Sequence, residues 1–183
     1  MNKTRIEMKT TKTIRQYAGL IAAVLSYYLV HEGAHLLYAL GAGAFKTIHV
    51  MGMGVQVDIY RERLTDAQLG WFCLVGPLAT LLASWCLVAL CPRIAKAKND
   101  VVKAVSWYVT LTLLVLDPLY LAGIFLLVGG GDMNGIRLIL PQTGVQVAAV
   151  ILLILHLLII YKRVLPTYSG AFAESKATTE QKK

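Results

Sequence analysis

The chain has 183 residues, of which 57% are hydrophobic and only 15% are charged. Its mean hydropathy of +0.62 leaves too little polar surface for a soluble domain of this size, so the composition predicts a polytopic membrane protein. The net charge of +8 is scattered along the chain. We interpret it as a mark of topology and of contact with the anionic headgroups of a lipid bilayer, and we expect no nucleic-acid partner.

Four apolar segments are long enough to cross a bilayer core, which takes about 20 residues of helix. In chain order they cover residues 14–40, 70–91, 104–128 and 145–161. The predicted fold class is an all-α polytopic membrane protein with about four transmembrane helices. Residues 1–13 form a cytoplasmic N-terminal lead, residues 14–165 form the membrane-embedded domain, and residues 166–183 form a polar tail that we expect to be disordered.

Lysine and arginine are concentrated in three segments of the chain. These are the N-terminal lead, the loop between the second and third spans, and the segment that follows the fourth span. The positive-inside rule assigns all three to the cytoplasmic side. We therefore expect an integral, multi-pass protein of the plasma membrane with both termini in the cytoplasm and a first span that runs outward.

Residues 31–35 read HEGAH, near the end of the first span. His31 and His35 are four residues apart, so on a helix they share one face and can take two corners of a tetrahedral zinc site. Glu32 lies on the flank of that face, where it can act on a water molecule without being a ligand. This is the HExxH arrangement of zinc peptidases, with Zn²⁺ as cofactor and Glu32 as the catalytic base.

A buried polar cluster or a proton relay is the alternative interpretation of these three residues. Ionisable side chains in lipid are costly unless their polar groups are satisfied. His156, in the fourth span, stands alone with no ligand spacing around it. For His156 we expect plain packing or a hydrogen bond rather than metal binding.

The segments that follow HEGAH resemble those of the site-2 protease family of intramembrane zinc metalloproteases. A β-prone, glycine-punctuated stretch reads VMGMGVQVDIY at 50–60, and GPLAT follows at 76–80 in the second span. In that family an HExxH helix is followed by a membrane-associated β element, a helix that opens with a GPxxN-like motif, and a third helix whose aspartate completes the zinc site. The resemblance covers roughly residues 20–140.

The resemblance implies hydrolysis of peptide bonds in membrane-associated or transmembrane substrates. The stretch at 50–60 predicts a short hairpin that pairs with an extended substrate strand, with Gly52, Gly54 and Thr80 as candidate substrate-binding residues. An ordinary surface hairpin is the alternative. Thr80 stands where the family usually has asparagine, and Gly76, Thr80 and Ser84 are also consistent with a stripe of small residues for close helix packing.

Two aspartates compete for the third ligand position, because the family's LDG motif is absent in strict form. Asp117 lies near the middle of the third span, and Asp132 lies just beyond its end after three glycines. Those glycines can let the chain fold back and carry Asp132 inward. We favour Asp132 and keep Asp117 as the alternative, since a carboxylate at mid-membrane depth is a functional candidate by default.

A non-enzymatic function competes with the protease hypothesis. An inactive homologue could bind metal and act as a membrane partner or escort protein. The sequence offers no second ligand cluster to support metal transport, and Glu32 would be unnecessary for simple binding. A third hypothesis is a metallopeptidase whose site opens to soluble substrates at the outer face. The identity of the substrate and the oligomeric state stay open.

Overall fold

The computed structural model describes residues 2–51, 54–129 and 131–181. Its elements in chain order are α1 (Asn2–Gly41), β1 (Phe45–Met51), β2 (Gly54–Ile59), a 3-10 turn (Arg61–Arg63), α2 (Asp66–Ile94), α3 (Asp100–Leu119), a π turn (Tyr120–Ile124), α4 (Phe125–Val128), α5 (Gly131–Ile136), α6 (Gln142–Ile159), a second π turn (Ile160–Val164) and α7 (Leu165–Gln181).

Within the described residues, four helical segments are long and apolar enough to cross a membrane. They cover Lys12–Gly41, Asp66–Ile94, Asp100–Val128 and Gln142–Thr178. Many large apolar side chains on these helices are exposed, among them Leu29 at 77% and Leu127 at 82%. An apolar surface of this extent suits contact with lipid rather than water. The predicted four helices and the hairpin after the first are confirmed.

The first and third spans run in the same direction, as the sequence predicted. Near their starts, Arg15 bonds Asp100 at 2.5 Å, and further along, His31 approaches Asp117. The two helices pack closely at Gly19, where a Cβ would lie only 2.2 Å from the ring of Tyr108. This close contact brings the HEGAH segment of α1 level with the middle of α3.

The second span is longer than predicted at both ends. Thr65 caps α2 in a capping box with Gln68, so the helix begins at Asp66 rather than near residue 70. At the other end it passes through Pro92 and stops at Ile94. Pro92 has no backbone N–H to donate to the carbonyl one turn earlier, and the helix ends two residues after it.

The end of the third span folds back, as the glycine run suggested. The helical backbone is interrupted at Gly123, and α4 stops at Val128. Gly129 then adopts a φ of 95°, a left-handed conformation that side chains with a Cβ rarely take. The chain turns there and re-enters the protein as α5, which carries Asp132.

The predicted disorder of the tail is wrong for most of its length, since α7 continues the fourth span as far as Gln181. Val164, Tyr168 and Ala171 recur at helical spacing and are buried. Tyr168 contacts Trp107 of α3, and the Lys103 ammonium donates to the Ala171 carbonyl at 3.3 Å. The tail is therefore held against the start of α3.

A buried cluster joins the hairpin, the end of α1, α2 and α5. It includes Ala39 of α1, Val57 of β2, Phe72 of α2, and Met133 and Ile136 of α5. Because all four elements share this core, the hairpin and α5 have fixed positions next to the HEGAH segment.

Candidate metal centre

The two histidines of HEGAH lie on one face of α1, as their spacing requires. His31 is 5% exposed and His35 is 3% exposed. Their Nε2 atoms lie 3.1 Å apart and are directed at the same point. The sequence prediction that both rings share one site is therefore confirmed as geometry.

Asp132 reaches this point from the opposite side. Its Oδ2 lies 3.0 Å from the Nε2 of His31, and its Oδ1 lies 3.5 Å from the Nε2 of His35. Helix α5 packs closely against α2 at Gly135, where a Cβ would lie only 2.3 Å from the Sγ of Cys73.

These separations suit a tetrahedral zinc ion. Zinc bonds of about 2.0–2.1 Å hold neighbouring ligand atoms about 3.3–3.4 Å apart. The two Nε2 atoms lie 3.1 Å apart, and each faces a different oxygen of Asp132, His31 at 3.0 Å and His35 at 3.5 Å. His31, His35 and Asp132 can therefore supply three ligands and leave a fourth position for water or substrate.

The other nitrogens of the two rings explain why the Nε2 atoms point inward. The Nδ1 of His35 donates to the Phe72 carbonyl at 2.6 Å, and the Nδ1 of His31 donates to the Oδ2 of Asp117 at 3.2 Å. A neutral imidazole that donates through Nδ1 carries a lone pair on Nε2. In this tautomer the two lone pairs and the Asp132 carboxylate face one point, which a cation can occupy.

Asp117 lies on the outer side of His31 rather than on the Nε2 side. Its carboxylate also accepts the Tyr27 hydroxyl at 2.7 Å and the Thr80 hydroxyl. Metal-binding histidines commonly donate their second nitrogen to a carboxylate in this way, which fixes the ring and raises its basicity. Of the two predicted candidates, Asp132 therefore has the geometry of a ligand, and Asp117 has that of a group that supports the ligand His31.

Glu32 lies at the flank of the pair. Its carboxylate, half-buried, falls within 4.8 Å of ligand atoms of His31 and His35, and these three residues could hold a metal ion. Its Oε2 accepts a hydrogen bond from the Val57 amide of β2 at 2.9 Å. The hairpin thus contacts the predicted catalytic base directly, a contact that no sequence pattern indicated.

Gly76 forms one wall of the site. A Cβ at this position would lie 2.5 Å from the Nε2 of His35 and 2.9 Å from the Nε2 of His31. The space next to the two nitrogens therefore exists because residue 76 has no side chain. The sequence offered Gly76 only as part of a small-residue stripe, although its place in GPLAT, the GPxxN-like motif, was a usable signal.

The residues predicted to bind substrate are distributed differently. Thr80 is fully buried, and its hydroxyl bonds Asp117. Gly54 begins β2, and Gly52 lies outside the described residues. Contact of any of the three with substrate stays a prediction.

Tyr27 was missed at the sequence level, although it lies four residues before His31 and so shares its helix face. Its ring stacks on that of His31 with centroids 5.1 Å apart.

Comparisons of the chain with protein-family models, with curated proteins and with solved structures gave no match.

Proposed function

We propose that this protein is an intramembrane zinc metalloprotease of the site-2 protease type, which hydrolyses peptide bonds of membrane-associated or transmembrane substrates. One observation carries the proposal. Two buried histidine nitrogens and a carboxylate converge on one point, with a glutamate at the flank. The order of HEGAH, hairpin, GPLAT and returning aspartate along the chain is also that of the family.

His31, His35 and Asp132 are the residues that would hold zinc. When bound, zinc would lower the pKa of a water molecule towards 7 and polarise the carbonyl of the scissile bond. Asp117 keeps the ring of His31 in the orientation and tautomer that ligation needs, and the Phe72 carbonyl does the same for His35.

Glu32 distinguishes a hydrolase from a metal carrier. A general base must lie within reach of the water that it deprotonates, and the Glu32 carboxylate lies within 4.8 Å of ligand atoms of the two histidines. In this proposal Glu32 accepts the proton of the attacking water and then passes it to the leaving amine. In a metal-binding escort protein the same glutamate would serve only as a further ligand.

An extended substrate is supported by the position of the hairpin. Helical backbone shields its own carbonyls, so a membrane-spanning substrate must unwind before it is cut. Strand β2 lies next to Glu32, and an unwound segment can add to it as a third strand. An apolar cavity of about 450 Å³ between α2, α3 and α6 has Thr80 and Asp117 among its lining residues. Its lining suits apolar side chains of such a substrate.

The decisive test replaces the base alone. Glu32→Gln should retain about one zinc per chain but slow hydrolysis by at least about 100-fold, because it removes the proton acceptor and spares the ligands. We would reconstitute the zinc-loaded protein in liposomes with a pool of single-span peptides that carry a fluorophore and a quencher. Glu62→Gln, in the 3-10 turn, is the matched control and should cleave like the wild type.

Cleavage by Glu32→Gln at the wild-type rate would refute the catalytic assignment. Stoichiometric zinc without cleavage by the wild type would favour the escort protein instead. Cleavage of soluble peptides in preference to spanning ones would favour a peptidase that opens to the outer face.

We also propose that both termini are cytoplasmic and that the site lies in the outer half of the plasma membrane. Single cysteines at Glu62 and at Thr178, in a chain without its native cysteines, report the two sides. An impermeant maleimide on intact cells should label position 62 and spare position 178, because the positive-inside rule keeps the C-terminal cations inside. Labelling of position 178 alone would invert the orientation and leave the zinc assignment intact.

A further inference from the structure

Strand β2 directs one backbone edge away from its partner strand. Val57 pairs with Ile48, and the Tyr60 amide donates to the Ala44 carbonyl at 2.8 Å across the same hairpin. In an antiparallel ladder, the backbone groups of successive residues face the partner and the open edge in turn. The Tyr60 amide faces the partner strand. By this alternation the odd-numbered residues of β2, which include Val57 and Val55, direct their amides and carbonyls to the open edge.

That open edge faces the candidate base. The Val57 amide donates to the Oε2 of Glu32 at 2.9 Å, across 25 positions of sequence. The Val57 side chain is 4% exposed and packs in the cluster that contains Ala39 and Phe72. The donor is therefore fixed by a buried anchor, and it can fix a glutamate whose own side chain has three rotatable bonds.

We infer that Val57 is a positioning residue whose backbone amide holds one oxygen of Glu32 so that the other oxygen faces the attacking water. The inference rests on the proposed function and deepens it. An N–H bond to a carboxylate is among the stronger hydrogen bonds of proteins, and a base that is already oriented saves the entropy of finding its pose during the reaction.

The same strand then aligns the base and the substrate. An extended chain that adds to the open edge pairs with the backbone groups of Val55 and with the carbonyl of Val57, because the Val57 amide is committed to Glu32. The substrate backbone thus runs past the glutamate at a register that β2 determines. A shift of the hairpin relative to α1 would displace both partners of the reaction together.

The experiment removes the backbone N–H of Val57 and leaves its side chain unchanged. An ester replaces the peptide bond at Val57, through the hydroxy-acid analogue of valine. The matched control carries the corresponding ester at Ile48, which pairs with Val57 and whose amide faces the opposite edge of the hairpin. Each ester also makes one carbonyl of the hairpin a weaker hydrogen-bond acceptor, but only the ester at Val57 removes the donor to Glu32. Zinc content, kcat and KM are measured on the pool of quenched single-span peptides in liposomes.

The Val57 ester should lower kcat by about 10- to 100-fold with KM within about twofold and zinc content unchanged, while the Ile48 ester keeps kcat. A rise in KM at constant kcat would overturn the inference, because the amide would then bind substrate. A rise in kcat would also overturn it, because the contact would then restrain the base from reacting. Equal effects of the two esters would do so as well.

A second readout is independent of proteolysis. The Val57 ester should lower the Tm of the detergent-solubilised protein by about 3–6 °C more than the control ester does, and this difference should vanish in the Glu32→Ala background. Absence of that coupling would overturn the inference whatever the activity. Coupling in a wild-type protein that cleaves none of the peptides would support the held carboxylate and refute the proposed protease function.

Discussion

The first and the fourth long helices both carry buried histidines, but the groups that contact the rings differ chemically. His156 in α6 donates its Nδ1 to the Leu114 carbonyl at 2.6 Å and accepts the Trp85 indole N–H at 3.1 Å. A neutral imidazole has one donor and one acceptor, and His156 uses both. The sequence expectation of a packed, hydrogen-bonded histidine is confirmed.

His31 and His35 have acceptors on both sides of the ring. Each Nδ1 faces an oxygen, and each Nε2 faces the other Nε2 and the Asp132 carboxylate. Burial is nearly the same at the three histidines, so burial does not separate a structural histidine from a candidate ligand. The chemical nature of the partners does: the Trp85 N–H opposite the Nε2 of His156 completes a hydrogen bond, whereas two Nε2 atoms and a carboxylate that face one point can hold a cation.

The largest effect expected from this comparison is loss of the metal. His31→Ala, His35→Ala and Asp132→Ala should each reduce zinc from about one per chain to a small fraction, because each removes one of three protein ligands. His156→Ala should leave zinc unchanged. Elemental analysis of the purified proteins decides, and full zinc content in all three ligand variants would eliminate the site.

The sequence was sufficient to predict the geometry of the α1 pair. Helical spacing alone brings His31 and His35 onto one face, and the glycine run before Asp132 indicated the turn that the positive φ of Gly129 now explains. Length and hydropathy predicted the four long helices for the same reason, since both are local properties of the chain.

The rotation of α3 about its axis was beyond sequence reasoning. It decides which nitrogen of His31 meets Asp117, and it depends on how Gly19 admits the Tyr108 ring between α1 and α3. The helical tail was missed because polar composition concealed the buried spacing of Tyr168 and Ala171. Interactions between distant segments were in each case the missing information.

A smaller effect should follow when the space beside the two Nε2 atoms is filled. Gly76→Ala would bring a methyl group to 2.5 Å from the Nε2 of His35, and the ring can yield only by breaking its bond to the Phe72 carbonyl. We expect zinc affinity to fall by about 100-fold, or roughly 2.7 kcal/mol, measured by competition with a chelator. Gly33→Ala, where a Cβ meets no atom within 4 Å, is the matched control and should bind zinc like the wild type.

The smallest effect on the metal should come from the support of His31. Asp117→Asn keeps the shape of the side chain but removes the negative charge that the Nδ1 of His31 and the Tyr27 hydroxyl both approach. Substitution of such a supporting carboxylate typically weakens metal binding by about 10- to 100-fold without abolishing it. Chelator competition should therefore give a weaker but still stoichiometric site, with Tyr27→Phe affected less because it leaves the carboxylate in place. If Asp117→Asn loses zinc entirely while Asp132→Ala retains it, the two aspartates exchange roles, and the fourth-helix histidine remains the correct reference for a satisfied ring.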